Sequence, residues 1–153
     1  MLDYKIDTMI KRHGFTLIEI IIVVAIIALL AVIAVPQYLR TRITSNETAA
    51  IASLKTLHKA SIMFYSANDN TYPPGGLPDL ANANPAYIDP VLGTGTKQGY
   101  QFTYTFVDED HFSVNADPQT PGQTGNRYFY IDEEGIIHGS TSGQATAGDP
   151  VIE

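Results

Sequence analysis

The chain contains no cysteine and no tryptophan. Without cysteine there is no disulfide framework, no thiolate metal site, no iron–sulfur cluster and no cysteine nucleophile. Any exported part must then be held by packing alone, or by a metal. Basic residues are few: nine Lys and Arg stand against 16 Asp and Glu, a formal net charge of −7. That balance argues against general nucleic-acid binding through a basic surface. No His-Glu-x-x-His pair, no Gly-x-Ser-x-Gly elbow and no haem attachment motif occurs, and Gly93 to Gly99 lacks the Gly-Lys-Ser/Thr ending of a phosphate loop. The four histidines, His13, His58, His111 and His138, are dispersed. No catalytic constellation emerges, and an enzyme is not expected.

What the chain does have is one long apolar run. From Ile20 to Val35 there are 16 consecutive Ile, Val, Ala and Leu residues. Extended to Leu39 the stretch is 20 residues, about 30 Å as a helix and enough to cross a bilayer. It is not a cleaved secretory signal, because no Ala-x-Ala site and polar turn follow it and the run is long for an h-region. One carboxylate, Glu19, stands just inside its N-terminal edge. A lone charge at bilayer depth costs roughly 2.5–3.5 kcal/mol, so a partner is expected. No Lys or Arg lies between Arg12 and Arg40. The partner must come from another chain, from lipid headgroups, or from a new amino terminus cut nearby. Gly14, small and preceded by Lys11, Arg12 and His13, suits such a cut. Cleavage between Gly14 and Phe15 leaves an amine one helical turn before Glu19.

From Lys11 to Tyr38 the chain resembles the type IV prepilin family: a short basic leader ending in Gly, then Phe-Thr-Leu-Ile-Glu, then a hydrophobic helix. The resemblance implies cleavage after Gly14 by a prepilin peptidase and methyltransferase, and N-methylation of Phe15. It implies a homopolymer built through the N-terminal helices, with the Phe15 amine of an incoming subunit paired to Glu19 of a neighbour. It also implies an inner-membrane assembly machinery as partner. Lys11 and Arg12 favour a cytoplasmic N-terminus, Arg40 and Arg42 oppose it, and the resemblance decides for a single pass with the head outside the cytoplasm. The assembled filament then lies in the periplasm or on the cell surface. Many type IV pilins close a C-terminal loop with a disulfide, which this chain lacks the residues to do.

The expected fold is α+β and pilin-like: a long, kinked N-terminal helix packed on a C-terminal antiparallel sheet of about four strands. Four segments follow: a cleaved leader over 1–14, a transmembrane and assembly helix over 15–40, its amphipathic second half over 41–69, and a head over 70–153. Removing the leader, whose side chains sum to +1, leaves −8 for the remainder. Beyond the membrane, Ile43, Ala50, Ile51, Leu54, Leu57, Ile62 and Tyr65 recur near the helical period. One helix is expected from Phe15 to about Asn68, ended by Asn68-Asp69-Asn70 and by Tyr72-Pro73-Pro74-Gly75-Gly76. Pro36 has no N–H to offer the Val32 carbonyl, so a kink is expected there, and the resemblance makes it an assembly position with Phe15 and Glu19.

Residues 77–99 read as a connector with helical turns at Leu77–Leu80 and Asn84–Pro90, then a flexible glycine loop. Alternation then predicts strands at Tyr100–Val107, His111–Ala116, Arg127–Ile131 and Ile136–His138. The tail from Gly139 reads as loose, with Val151-Ile152 as a candidate edge strand.

The acidic turns around Asp108, Asp110, Asp132 and Glu134 read as solvated hairpin tips, with Ca²⁺ the alternative if both converge on one edge. No other cofactor is expected. Nine tyrosines and six phenylalanines are explained by packing on one sheet face. Asn46-Glu47-Thr48 matches a glycosylation triplet, but its mid-helix place makes it incidental.

The leading expectation is a structural subunit of a type IV pilus or pilus-like filament. The alternative is a pseudopilin of a type II secretion system, whose post-helix segment Tyr72 to Leu77 resembles. A third reading is a membrane-anchored binding protein that never polymerises.

Overall fold

The computed structural model describes residues 14–152. The leader up to His13 therefore lies outside the described residues. The chain divides into two compact units, residues 1–37 and residues 38–153. Helix α1, Leu17–Ala67, runs through both, with Pro36 inside it. The helical assignment continues on both sides of Pro36.

In the first unit α1 is apolar all round and exposed on every described face. In the second unit it becomes one-sided. Glu47, Ala50, Ser53, Leu54, Leu57, Ala60 and Ser61 are buried, a stripe that recurs every three to four residues. Ile62, expected on that stripe, is exposed instead, and the fully buried Ser61 takes the inward place. The helix stops where Asp69 and Asn70 adopt positive φ, 50° and 55°, a conformation that Asn and Asp tolerate better than most residues.

Two short helices follow. Helix α2, Leu77–Asn82, starts one turn earlier than its buried Leu80 and carries Pro78 near its start. Helix α3, Pro90–Gly93, is capped by Asp89, whose carboxylate accepts from the Leu92 amide at 2.9 Å. The second connector turn thus begins at Pro90 and not at Asn84, because Asp89 followed by Pro is a better helix start.

The sheet has five antiparallel strands in chain order: β1 Thr96–Lys97, β2 Tyr100–Phe106, β3 Phe112–Pro118, β4 Tyr128–Asp132 and β5 His138–Ser140. Three of the expected strands are present, and the fourth, expected over Ile136–His138, runs instead over His138–Ser140. The fifth, β1, comes from the loop that composition had marked as flexible. It pairs Thr96 with Gln101 and Lys97 with Tyr100. Alternation sorts the faces. Tyr100, Phe102, Phe112, Val114, Ala116, Phe129 and Ile131 point inward and pack with Ala50, Leu54, Leu57 and Ala60 of α1, while α2 and α3 add Leu77, Leu80 and Leu92. The architecture is α+β and pilin-like, with the helix packed on an antiparallel sheet.

The tail beyond β5 is not loose. The Asn115 side chain donates to the Ala145 carbonyl at 2.8 Å, and Thr146 donates from its amide and its hydroxyl to Asp149 at 2.8 and 2.9 Å. Ile152 then donates to the Ile137 carbonyl at 2.9 Å, and His138 bridges Val151. Polar composition suggested disorder, but these side chains satisfy the tail's own backbone.

One buried charge ties α1 to the β3–β4 connection. Glu47 accepts from the Asn126 amide at 2.9 Å and from Arg127 Nε at 2.8 Å. Asn46 beside it donates to the Thr124 carbonyl at 2.8 Å, so the glycosylation triplet is occupied by packing. Gly125 is required there: a Cβ would collide with the hydroxyl of Tyr100.

Candidate functional site: the N-terminal segment

Gly14, Phe15 and Thr16 precede the helix in non-helical conformation, and α1 begins at Leu17. A Cβ placed on Gly14 would meet nothing within 4 Å, and Phe15 is 84% exposed. Both residues that flank this peptide bond are exposed. A bond one turn further on would be locked in helical hydrogen bonding.

Glu19 sits in the first turn of α1. Its carboxylate turns back toward the helix start and accepts from the Thr16 amide at 2.8 Å and from the Thr16 hydroxyl at 2.8 Å. The Glu19 amide donates to the same hydroxyl at 3.3 Å. This is a capping box, in which two otherwise orphaned backbone amides are satisfied reciprocally. A carboxylate there also faces the positive end of the helix dipole.

Within the chain the Glu19 carboxylate finds hydrogen-bond donors on Thr16, which carries no charge to balance it. The signal was Thr-x-x-Glu ahead of an apolar run, a spacing that names the cap directly. Gly14, Phe15 and Glu19 are brought together at the helix start. Pro36 is far along the helix and takes no part in this arrangement.

Downstream of the cap, every large apolar side chain from Ile20 to Val35 is at least half exposed. Leu17–Ala67 contains a window long and apolar enough to cross a membrane, none of it buried. An exposed apolar surface of this size marks a site that meets a membrane or another protein.

The acidic turns were the second candidate. They do lie side by side, joined by His111. Its Nδ1 is 2.7 Å from an Asp108 oxygen and its Nε2 is 3.8 Å from Glu133. The hydrogen bond to Asp108 raises the His111 pKa, and that same bond lowers that of Asp108. Asp110 accepts from the Tyr65 hydroxyl at 2.8 Å, and Asp132 from the Glu134 amide at 3.1 Å. Among the described residues no group of three or more His, Asp or Glu side chains is arranged to hold a metal ion. The carboxylates of Asp108, Asp110 and Asp132 each accept from a neighbouring donor, as hairpin tips do, and Glu134 joins them only through its backbone amide. His58 and His138 serve structural roles, against the Glu133 carbonyl at 3.2 Å and the Asp149 carbonyl at 2.7 Å.

The family of the prokaryotic N-terminal methylation motif matches residues 9–35. The chain carries the prepilin signature. This signature is that of type IV pilins and pseudopilins, and it covers the cap, the exposed Gly14–Phe15 bond and the apolar run. It supports a type IV pilin-like or pseudopilin precursor, and a motif of that kind points to a structural subunit. It is consistent with processing by a prepilin peptidase and with membrane anchoring through the apolar helix. No curated protein matches the chain, and no solved structure does.

Proposed function

We propose that the chain is the structural subunit of a type IV pilus or pilus-like filament. The observation that carries this is the prepilin signature over residues 9–35, placed on a helix whose start is capped and whose preceding bond is exposed. The leader holds the precursor in the cytoplasmic membrane. Cleavage after Gly14 frees the Phe15 amine, which is N-methylated and keeps its positive charge. The amine of an incoming subunit then meets Glu19 of a neighbour, while Ile20 to Val35 pack as the filament core. Buried in that core, the pair need not add net stability, since desolvation offsets attraction. It fixes axial register, because every misaligned arrangement leaves a charge unpaired.

The experiment is N-terminal mass spectrometry of material sheared from cells. An N-methyl-Phe15 terminus in the sheared fraction is expected. An intact leader, with the chain confined to the membrane fraction, would instead leave the non-polymerising anchored protein.

A type II secretion pseudopilin is the second reading, favoured by the post-helix segment Tyr72 to Leu77. There Tyr72 packs against Phe112 with ring centroids 4.5 Å apart, and Gly76 turns the chain with φ 72°. Surface fibres in electron micrographs would select the pilus. Loss of protein export on deletion would select the pseudopilin.

A further inference from the structure

Where the chain leaves α1, the connector folds back on the helix end and leaves an open cleft of about 430 Å³. Small-ligand sites span about 300–1,000 Å³, so the cleft is of that size. Phe64 comes from the last turn of α1 and Asn68 from just past it, Asp79 and Asn82 from α2, and Asn84 and Tyr87 from the loop that follows. Among the described residues no Lys or Arg lines it.

Some of its polar groups are fixed by the fold. Asp79 Oδ2 accepts from the Gly75 amide at 2.7 Å, and the Asn68 side chain donates to the Phe64 carbonyl at 2.9 Å. Gly75 is needed for that seat, because a Cβ there would run into the Asp79 carboxylate. Other groups are spare. The side-chain amides of Asn82 and Asn84 are exposed, and among the described residues neither has a hydrogen-bond partner. One wall is aromatic. Half-buried Tyr87 meets Phe64 edge-on with ring centroids 5.8 Å apart, and its amide donates to the Leu80 carbonyl at 2.9 Å.

A ring, a seated carboxylate and two spare amides are the groups that a neutral sugar uses. A pyranose packs its C–H face on an aromatic ring, and its hydroxyls both donate and accept. The carboxylate accepts from them, and each amide does both. An anionic sugar would instead face Asp79 with no cation to balance it. The cleft also continues beyond one ring: a second hollow of about 270 Å³ shares Pro78 and Asn82 with it. Among the described residues Asp79 is the one carboxylate lining either hollow. Glycoside hydrolysis uses a pair, so the arrangement suits binding without cutting.

We propose that this cleft binds a neutral oligosaccharide, with Tyr87 as the stacking surface and Asp79, Asn82 and Asn84 as hydroxyl partners. The proposal stands whether or not the chain polymerises. Repetition along a filament would strengthen a weak site through avidity.

The test applies the full chain, solubilised in a detergent without a sugar headgroup, to immobilised neutral and anionic oligosaccharides and to unglycosylated peptides. Galactose-terminated chains stand for cell-surface glycans and N-acetylglucosamine oligomers for cell-wall glycans. Retention on either neutral set is expected, and which set retains the chain tells the source. Asn82→Ala/Asn84→Ala removes both amides and is expected to weaken binding about tenfold with the thermal midpoint unchanged. Asp79→Asn keeps an oxygen for the Gly75 amide and is expected to weaken binding as well. Because the chain has no tryptophan, Tyr87→Trp places a single indole at the wall, whose emission is expected to shift as sugar stacks on it. No retention on neutral sugars, or retention on anionic ones alone, would overturn the site. Binding that neither the double variant nor Asp79→Asn weakens would overturn it too, by placing the sugar elsewhere. Retention on peptides with no sugar bound would give the cleft to a protein partner instead.

Discussion

Thr16 and Glu19 satisfy each other at the head of α1, with both the amide and the hydroxyl of Thr16 donating to the same carboxylate oxygen at 2.8 Å. The carboxylate is thus held at the helix start, one residue from the end that cleavage creates. The cap and the proposed pair can be separated experimentally. Thr16→Ala removes a cap worth about 1 kcal/mol to the first turn and leaves the charge in place. It is expected to keep most of the sheared fibre yield. Glu19→Val is expected to insert and to be cleaved normally, yet to yield few fibres. Equal loss in both variants would make Glu19 a capping residue and nothing more.

Glu47 is buried, and removing it strands Arg127 Nε and the Asn126 amide. Glu47→Ala is expected to lower head stability by about 2–3 kcal/mol, read as a drop in thermal midpoint of the detergent-solubilised chain. Arg127→Ala should cost less, because its side chain is 40% exposed and Glu47 keeps two backbone donors. The reverse order would mean that the arginine, not the carboxylate, organises the β3–β4 connection.

His111 gives the head a pH dependence of defined sign. Its folded pKa is raised, first by the hydrogen bond to Asp108, and that of Asp108 is lowered by the same contact. The histidine contribution is complete below its unfolded pKa of about 6.5 and is lost as pH rises through the folded value. The aspartate contribution is present above about 3.9 and is lost as pH falls through its folded value. Thermal midpoints should therefore fall between mildly acidic and mildly alkaline pH. His111→Gln is expected to flatten that limb. An unchanged slope in the variant would assign it to other groups.

Asp117 shows the opposite situation for a carboxylate. Burial pushes its pKa up, partly offset by the hydrogen bond from Gln144 at 3.3 Å, and its Oδ1 has no partner. A raised carboxylate pKa favours folding at low pH and opposes it as pH rises through the folded value. Asp117→Asn is expected to raise the melting temperature at neutral pH, with the gain shrinking toward pH 4. A loss at neutral pH would show that the charge itself holds the tail.

The long helix, its end near Asn68 and three strands were legible because each rests on a period that side chains cannot disguise, while the fourth strand lies two residues beyond its expected place. Ile20 to Val35 has one environment available to it, and Tyr100 to Phe106 has one inward face. Three features were harder to see. The two-residue β1 has too little pattern to detect and exists because Tyr100 and Gln101 offer it a strand edge. The ordered tail depends on Asn115 and Asp149, whose partners lie in polar sequence that reads as loop. Glu47 did leave a trace: it falls three residues before Ala50 on the apolar stripe, where a charge must be paired. At the N-terminus the motif carries Gly14, Phe15 and Glu19 together, while the part of Thr16 is local and legible only as the Thr-x-x-Glu spacing of a cap.

The order of strands across the sheet, β1 to β5, copies their order along the chain. Each hairpin needs only the segment just before it, so the head can be laid down in sequence as polypeptide is delivered end-first, with no early strand waiting for a distant partner. The last residues close over a surface already built. With no cysteine in the chain, no disulfide step has to follow the laying down of the sheet.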